Sequence, residues 1–143
     1  MPRPARIHAT SVSISTNAPR ELAQFYATLL GVEVAASEAA RPGEPQSAGW
    51  AQLRPVEGKL AMTLNFEWDQ HYVPPVWPSE SPSGRRGRGD QQVMAHLDIW
   101  VDDLDEAEAW ARGVGATTHQ HQPQSNVRVM LDPHGHPFCL FTG

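Results

Sequence analysis

His96 and Asp98 stand two residues apart in the run Ala95-His96-Leu97-Asp98-Ile99-Trp100. In an extended chain that spacing puts both side chains on one face. An imidazole titrates near pH 6.5 when unperturbed, so beside a carboxylate it can take and return protons near neutrality. The same pair also fits an ordinary polar contact on a sheet surface, and residue type alone does not choose between the two. Trp100 shares the parity of His96 and Asp98 and offers a large apolar plate with one N–H donor. Trp77 lies in the proline-rich run Tyr72-Val73-Pro74-Pro75-Val76-Trp77-Pro78. It either anchors that loop on a sheet or closes over a ligand. Together these residues describe a pocket with apolar walls and a few fixed polar groups. It would suit a small, partly aromatic organic molecule held against Trp100 and Trp77 and oriented by His96 and Asp98.

The elements that must position these residues follow from periodicity. Residues 7–16 are rich in β-branched side chains and free of Gly and Pro, and predict a strand on which His8, Thr10, Val12 and Ile14 lie together. Asn17 is the expected N-cap of a helix whose stripe is Leu22, Phe25, Tyr26, Leu29 and Leu30, stopped by Gly31. Strands follow at 32–35, 50–54 and 59–68, the last two joined around 55–58. In the last of them Thr63, Asn65 and Glu67 oppose the apolar Leu64 and Phe66. Residues 69–92, dense in Pro and Gly, read as a linker loop. A strand at 93–101 comes next, then a helix capped by Asp103 with Glu106 as its capping-box partner and Gly115 at its end. Strands at 117–122, 127–131 and 137–142 complete the chain, the last two joined by Asp132-Pro133-His134-Gly135, which has type I turn chemistry. The order β-α-β-β-β thus occurs twice, at about 7–68 and 93–142. The expected fold is one α+β domain over 1–143: two βαβββ modules forming a curved, eight-stranded mixed sheet with a concave ligand cup.

Bulk properties narrow the partners. The chain has 143 residues, 40% of them hydrophobic, a net charge of −5 and a pI near 5.7. That balance argues against a nucleic-acid partner, which needs a concentrated basic face. The basic cluster Arg85-Arg86-Gly87-Arg88 sits in Gly/Ser/Pro-rich sequence and reads as a solvated loop or as a clamp for an anion. No apolar run approaches the roughly 20 residues of a spanning helix, so no membrane partner is expected. The single cysteine, Cys139, excludes an intramolecular disulfide, and a cytoplasmic location is expected.

The words of the second half carry a family resemblance. Ala95-His96-Leu97-Asp98-Ile99-Trp100-Val101-Asp102-Asp103-Leu104 resembles the fifth strand and helix cap of glyoxalase-like proteins, and 127–140 their closing hairpin. Arg20 to Gly31 is similar to their first helix, and the Pro74-Pro75-Val76-Trp77-Pro78 loop to one in an uncharacterised branch. The resemblance is to the glyoxalase/bleomycin-resistance/dioxygenase (vicinal oxygen chelate) superfamily and covers nearly the whole chain. It implies a homodimer. Metal-dependent members draw ligands from the first, fourth, fifth and eighth strands, positions that fall here on Thr10, Thr63, His96 and Cys139. Threonine hydroxyls are poor ligands beside imidazole and carboxylate, so no cofactor is expected, and Thr10, Thr63, Glu67 and Cys139 become ligand-binding positions. The alternative is a divalent metal on His8, Glu67 and His96, with His121 as a further donor. Two functions follow: a protein that binds or sequesters a small metabolite or drug, or a metal-dependent lyase, isomerase or dioxygenase with His96 and Asp98 at its centre.

Overall fold

The computed structural model describes residues 5–76 and 93–143. The chain divides into two compact units, one ending at Gln70 and the other beginning at His71. In the first, β1 (Ser11–Thr16) and α1 (Pro19–Leu30) precede β2 (Ala36–Glu38), β3 (Trp50–Leu53) and β4 (Thr63–Trp68). The sheet order is β1-β4-β3-β2, with β1 parallel to β4 and the other pairs antiparallel. Val12, Ile14 and Thr16 pair with Leu64, Phe66 and Trp68, and α1 covers that face. Its Tyr26 ring stacks on Phe66 at 5.7 Å, while Phe25 meets Tyr26 edge-on at 4.8 Å. Leu22, Leu53, Leu64 and Phe66 are fully buried there.

In this unit the first strand begins at Ser11 rather than at residue 7, and other boundaries differ from the expected ones as well. The helix cap is Ala18, not Asn17: the Ala18 amide donates to Thr16 Oγ1 at 3.3 Å, and Pro19 opens the helix without needing a partner for an N–H. The second strand is Ala36–Glu38 rather than 32–35. Gly31 stops α1 in a left-handed conformation, and 32–35 serve to carry the chain from the helix end to the sheet edge, where the Ala35 amide first bonds Gln52 O. The fourth strand starts at Thr63, because the turn before it is wider and closes through a Val56–Leu60 bridge.

The second unit repeats the plan with β5 (Leu97–Trp100), α2 (Leu104–Gly113), β6 (Thr117–Thr118), β7 (Val127–Leu131) and β8 (Pro137–Phe141), in the order β5-β8-β7-β6. The eight strands are therefore hydrogen-bonded as two four-stranded mixed sheets, one per βαβββ unit. Asp103 caps α2 as expected, its Oδ1 accepting from the Glu106 amide at 2.9 Å. β6 is short because the Gln122 side chain takes over the ladder. Its amide donates to His119 O and Val129 O and accepts from the Val129 N–H, all at 2.8–2.9 Å. Arg128 and Thr118 share the face of Phe138 and Leu140 by register. Both reach Glu108 of α2, at 3.2 and 2.7 Å, which fixes that face as the helix-covered one.

Candidate functional site

The parallel pairing of β5 and β8 sets Asp98 beside Cys139 and Trp100 beside Phe141. By alternation this is the face away from α2, and Val127 and Val129 of β7 continue it. His96, one step before β5, joins Asp98 through Nε2–Oδ1 at 3.2 Å, with side chains 29% and 62% exposed. Trp100 is 61% exposed, an unusual position for an indole with no structural need to face outward. Cys139 is a free cysteine and is buried. Burial, and after it the neighbouring charge of Asp98, pushes its thiol pKa above the ordinary value, so near neutrality it is a neutral thiol rather than a nucleophile. The sequence pairing of His96, Asp98 and Trp100 with Cys139 is thus realised on one surface.

The other expected positions fall elsewhere. In the first unit Ser11, Ser13 and Ser15 pair with Thr63, Asn65 and Glu67, so Thr10 has the opposite parity to Thr63 and Glu67. Its carbonyl instead accepts from the Thr63 amide at 3.1 Å. Glu67 is level with Ser15, whereas His8 precedes Ser11 by three residues. These two are displaced in opposite directions along the strands, by about 23 Å in all for seven residues of extended chain. The set His8, Glu67 and His96 is therefore not brought together. His121 is exposed, its amide bonded to His119 Nδ1 at 2.9 Å. Trp77 and most of the 69–92 linker lie outside the described residues.

Among the described residues, one group of three donors has metal-like spacing: His96, Asp98 and Cys139, whose ligand atoms all lie within 4.8 Å of one another. Imidazole, carboxylate and thiolate with bonds of about 2.0–2.3 Å would need only modest contraction to share an ion, leaving a position open as catalytic sites do. The donor types fit. Asp98 takes a place that the family positions had not named.

A second cluster was not foreseen. Asp132 Oδ1 accepts from the amides of His134 and His136 at 2.9 and 3.0 Å, and Oδ2 lies 2.9 Å from His136 Nδ1, the carboxylate being wholly buried. Tyr72 stacks on the His136 ring at 5.0 Å and donates its O–H to His134 O at 2.9 Å. Burial, then the Asp132 charge, raises the Tyr72 phenol pKa. Pro74 lies so close to Gly135 that a Cβ there would come within 2.9 Å of it. The start of the expected linker is thus bound into the second unit. The spacing Asp132–His136 around the turn was visible, but nothing local announces Tyr72.

A glyoxalase-like domain model matches residues 11–141. The chain belongs to the glyoxalase-like domain family. No curated protein matches it significantly. Among solved structures, a glyoxalase/bleomycin resistance protein/dioxygenase family enzyme from Burkholderia phytofirmans PsJN is 18% identical, over 93% of this chain and 96% of that one, with a TM-score of 0.55. TnmS3, an antibiotic binding protein from Streptomyces sp. CB03234, is 19% identical over 98% of each chain, also at 0.55. A variant of the fosfomycin resistance protein FosX from Listeria monocytogenes, complexed with Mn(II) and 1S,2S-dihydroxypropylphosphonic acid, is 10% identical over 97% and 94%, with a TM-score of 0.66. At these identities the likeness is one of fold. No helix among the described residues of this glyoxalase-like chain is long and apolar enough to cross a membrane.

Proposed function

We propose that this glyoxalase-like protein binds or sequesters a small organic metabolite or drug on the helix-free face of its second sheet. The observation that carries this is the His96–Asp98 pair set beside an indole, Trp100, that stands 61% exposed. Trp100 supplies contact area, His96 and Asp98 orient polar groups of the ligand, and the neutral Cys139 thiol forms the floor. TnmS3 binds an antibiotic and FosX is a resistance protein, which favours a drug-sized ligand here. We place the protein in the cytoplasm, and as a homodimer, a state that sedimentation of the purified protein checks. The decisive experiment measures co-purified or added ligand binding to His96→Ala and Trp100→Ala. Unchanged affinity in both would remove the pocket from this face.

A second reading has one observation in its favour, the spacing of His96, Asp98 and Cys139 within 4.8 Å. On that reading His96 Nε2, an Asp98 oxygen and Cys139 Sγ would hold a divalent metal, which supplies Lewis-acid polarisation of a substrate oxygen for lyase, isomerase or dioxygenase chemistry. The metal-free reading is preferred because two of the four family ligand positions fall on Thr10 and Thr63, whose hydroxyls are poor ligands beside imidazole and carboxylate.

A further inference from the structure

We propose that the helix-free face of the first sheet holds an organic cation, with Trp50 as its platform. The register of this sheet makes a continuous row: Glu38 of β2 pairs with Trp50 of β3, Trp50 with Glu67 of β4, and Glu67 with Ser15 of β1. Directly paired residues project to the same face with Cβ atoms about 4.5–5.5 Å apart. The indole is therefore flanked on both sides by carboxylates. The intervening residues Ala51, Leu53, Leu64 and Phe66 are fully buried, so the Trp50 row lies on the face away from α1.

An indole face is electron-rich and attracts a cation lying within about 6 Å of its centre. Carboxylates one strand away on either side of the indole, about 9.5 Å apart by strand spacing, add their attraction to an ammonium group lying on it. Of the nearby bases one adjoins the site: Arg54 Nε donates to Gln52 Oε1 at 2.9 Å, and Gln52 is two residues from Trp50 on the same face, so one positive charge stands against the two carboxylates. The others are engaged elsewhere. Arg20 donates to the carbonyls of Gln46 and Ala48, and Lys59 to that of Gly31.

The adjoining row is polar and hydrogen-bonded. Gln52 Nε2 donates to Asn65 Oδ1 at 2.8 Å, and Ser13 is the partner of Asn65 on β1. A ligand whose ammonium sits on Trp50 would thus meet hydroxyl and amide groups beside it. The favoured class is a small primary to quaternary alkylammonium compound carrying hydroxyl or amide groups. This inference rests on the first sheet alone, and it stands or falls separately from the reading of the second.

The test is an NMR titration of the full chain with tetramethylammonium chloride, following the Trp50 indole N–H, which Trp50→Phe assigns. Sodium chloride at equal ionic strength and tert-butanol, a neutral molecule of similar shape, are the controls. The expected result is a saturable shift with tetramethylammonium alone. Glu38→Gln and Glu67→Gln should each weaken it about two- to fivefold, as exposed ion pairs do. Both Glu substitutions are at exposed positions, and a dispersed amide spectrum verifies that the fold is kept. An equal shift with sodium chloride or tert-butanol, or wild-type affinity in the Glu38→Gln/Glu67→Gln double variant, would overturn the proposal.

Discussion

Replacing Asp132 by alanine removes a wholly buried carboxylate on which three N–H groups converge: the amides of His134 and His136 and the His136 ring. Hydrogen bonds to a charged group contribute about 1.5–3 kcal/mol each, but they are not additive here because one acceptor serves all three. Removing one partner of a buried pair, and stranding the others, typically costs about 3–5 kcal/mol. We therefore expect Asp132→Ala to lose about 4 kcal/mol, roughly 10 °C in melting temperature for a chain of this size. Asp132→Asn keeps an oxygen for the two amides but gives up the charge and turns an NH2 toward the His136 ring in place of Oδ2, so its loss should be smaller, about 2 kcal/mol. Urea unfolding followed by far-UV circular dichroism, with the three proteins side by side, reads both values. A loss below about 1 kcal/mol for Asp132→Ala, or equal losses for both variants, would show that this carboxylate does not hold the closing turn.

Other outcomes follow from the same geometry. Tyr72→Phe removes one hydrogen bond, to His134 O, and should cost about 1 kcal/mol, checked by the same unfolding assay. The phenol of Tyr72 and the thiol of Cys139 both have folded pKa values raised above their ordinary ones. Each therefore contributes stability that is complete below its ordinary value of 10.0 and 9.0 respectively and is lost as pH rises through the folded value. Unfolding midpoints should fall above pH 9, and a flat profile to pH 11 would contradict this. Iodoacetamide should label Cys139 slowly at pH 8, and Asp98→Asn should bring its half-labelling pH down, because the carboxylate is one of the two causes of the raised value. Gly49 sits at φ 110°, and a Cβ there would lie 2.2 Å from the Glu38 carbonyl oxygen. Gly49→Ala should therefore lower stability by about 2 kcal/mol or more and shift the β2 amide resonances.

Much of the second unit was legible in its sequence because the pattern there is strict. Leu97 and Ile99 alternate with Asp98 and Trp100, Phe138 and Leu140 with Cys139 and Phe141, and the turn 132–135 and the Asp103 cap have unambiguous chemistry. Those same alternations assembled His96, Asp98, Trp100 and Cys139 on one face. The first unit was harder. Ser11, Ser13 and Ser15 differ little in polarity from Thr10, and the better guide was the parity of Val12 and Ile14 with the buried Thr16, which assigns Thr10 to the other face. The row Glu38–Trp50–Glu67 depends on three strand registers, and register between distant segments is not written in any one of them. Tyr72 reaches His136 across 64 positions of sequence, and the Gln122 amide that ends β6 early imitates a backbone, which strand periodicity cannot express.

Native mass spectrometry of the untagged protein, with His96→Ala and Trp100→Ala as companions, addresses the central claim most directly. The second-sheet pocket predicts a mass shift from a small organic molecule on wild type, or on wild type supplied with an aromatic ligand library, that is lost in both variants, without a stoichiometric metal. One equivalent of divalent metal per chain that disappears in His96→Ala, or an aromatic adduct that survives in both variants and in Trp50→Phe, would contradict it.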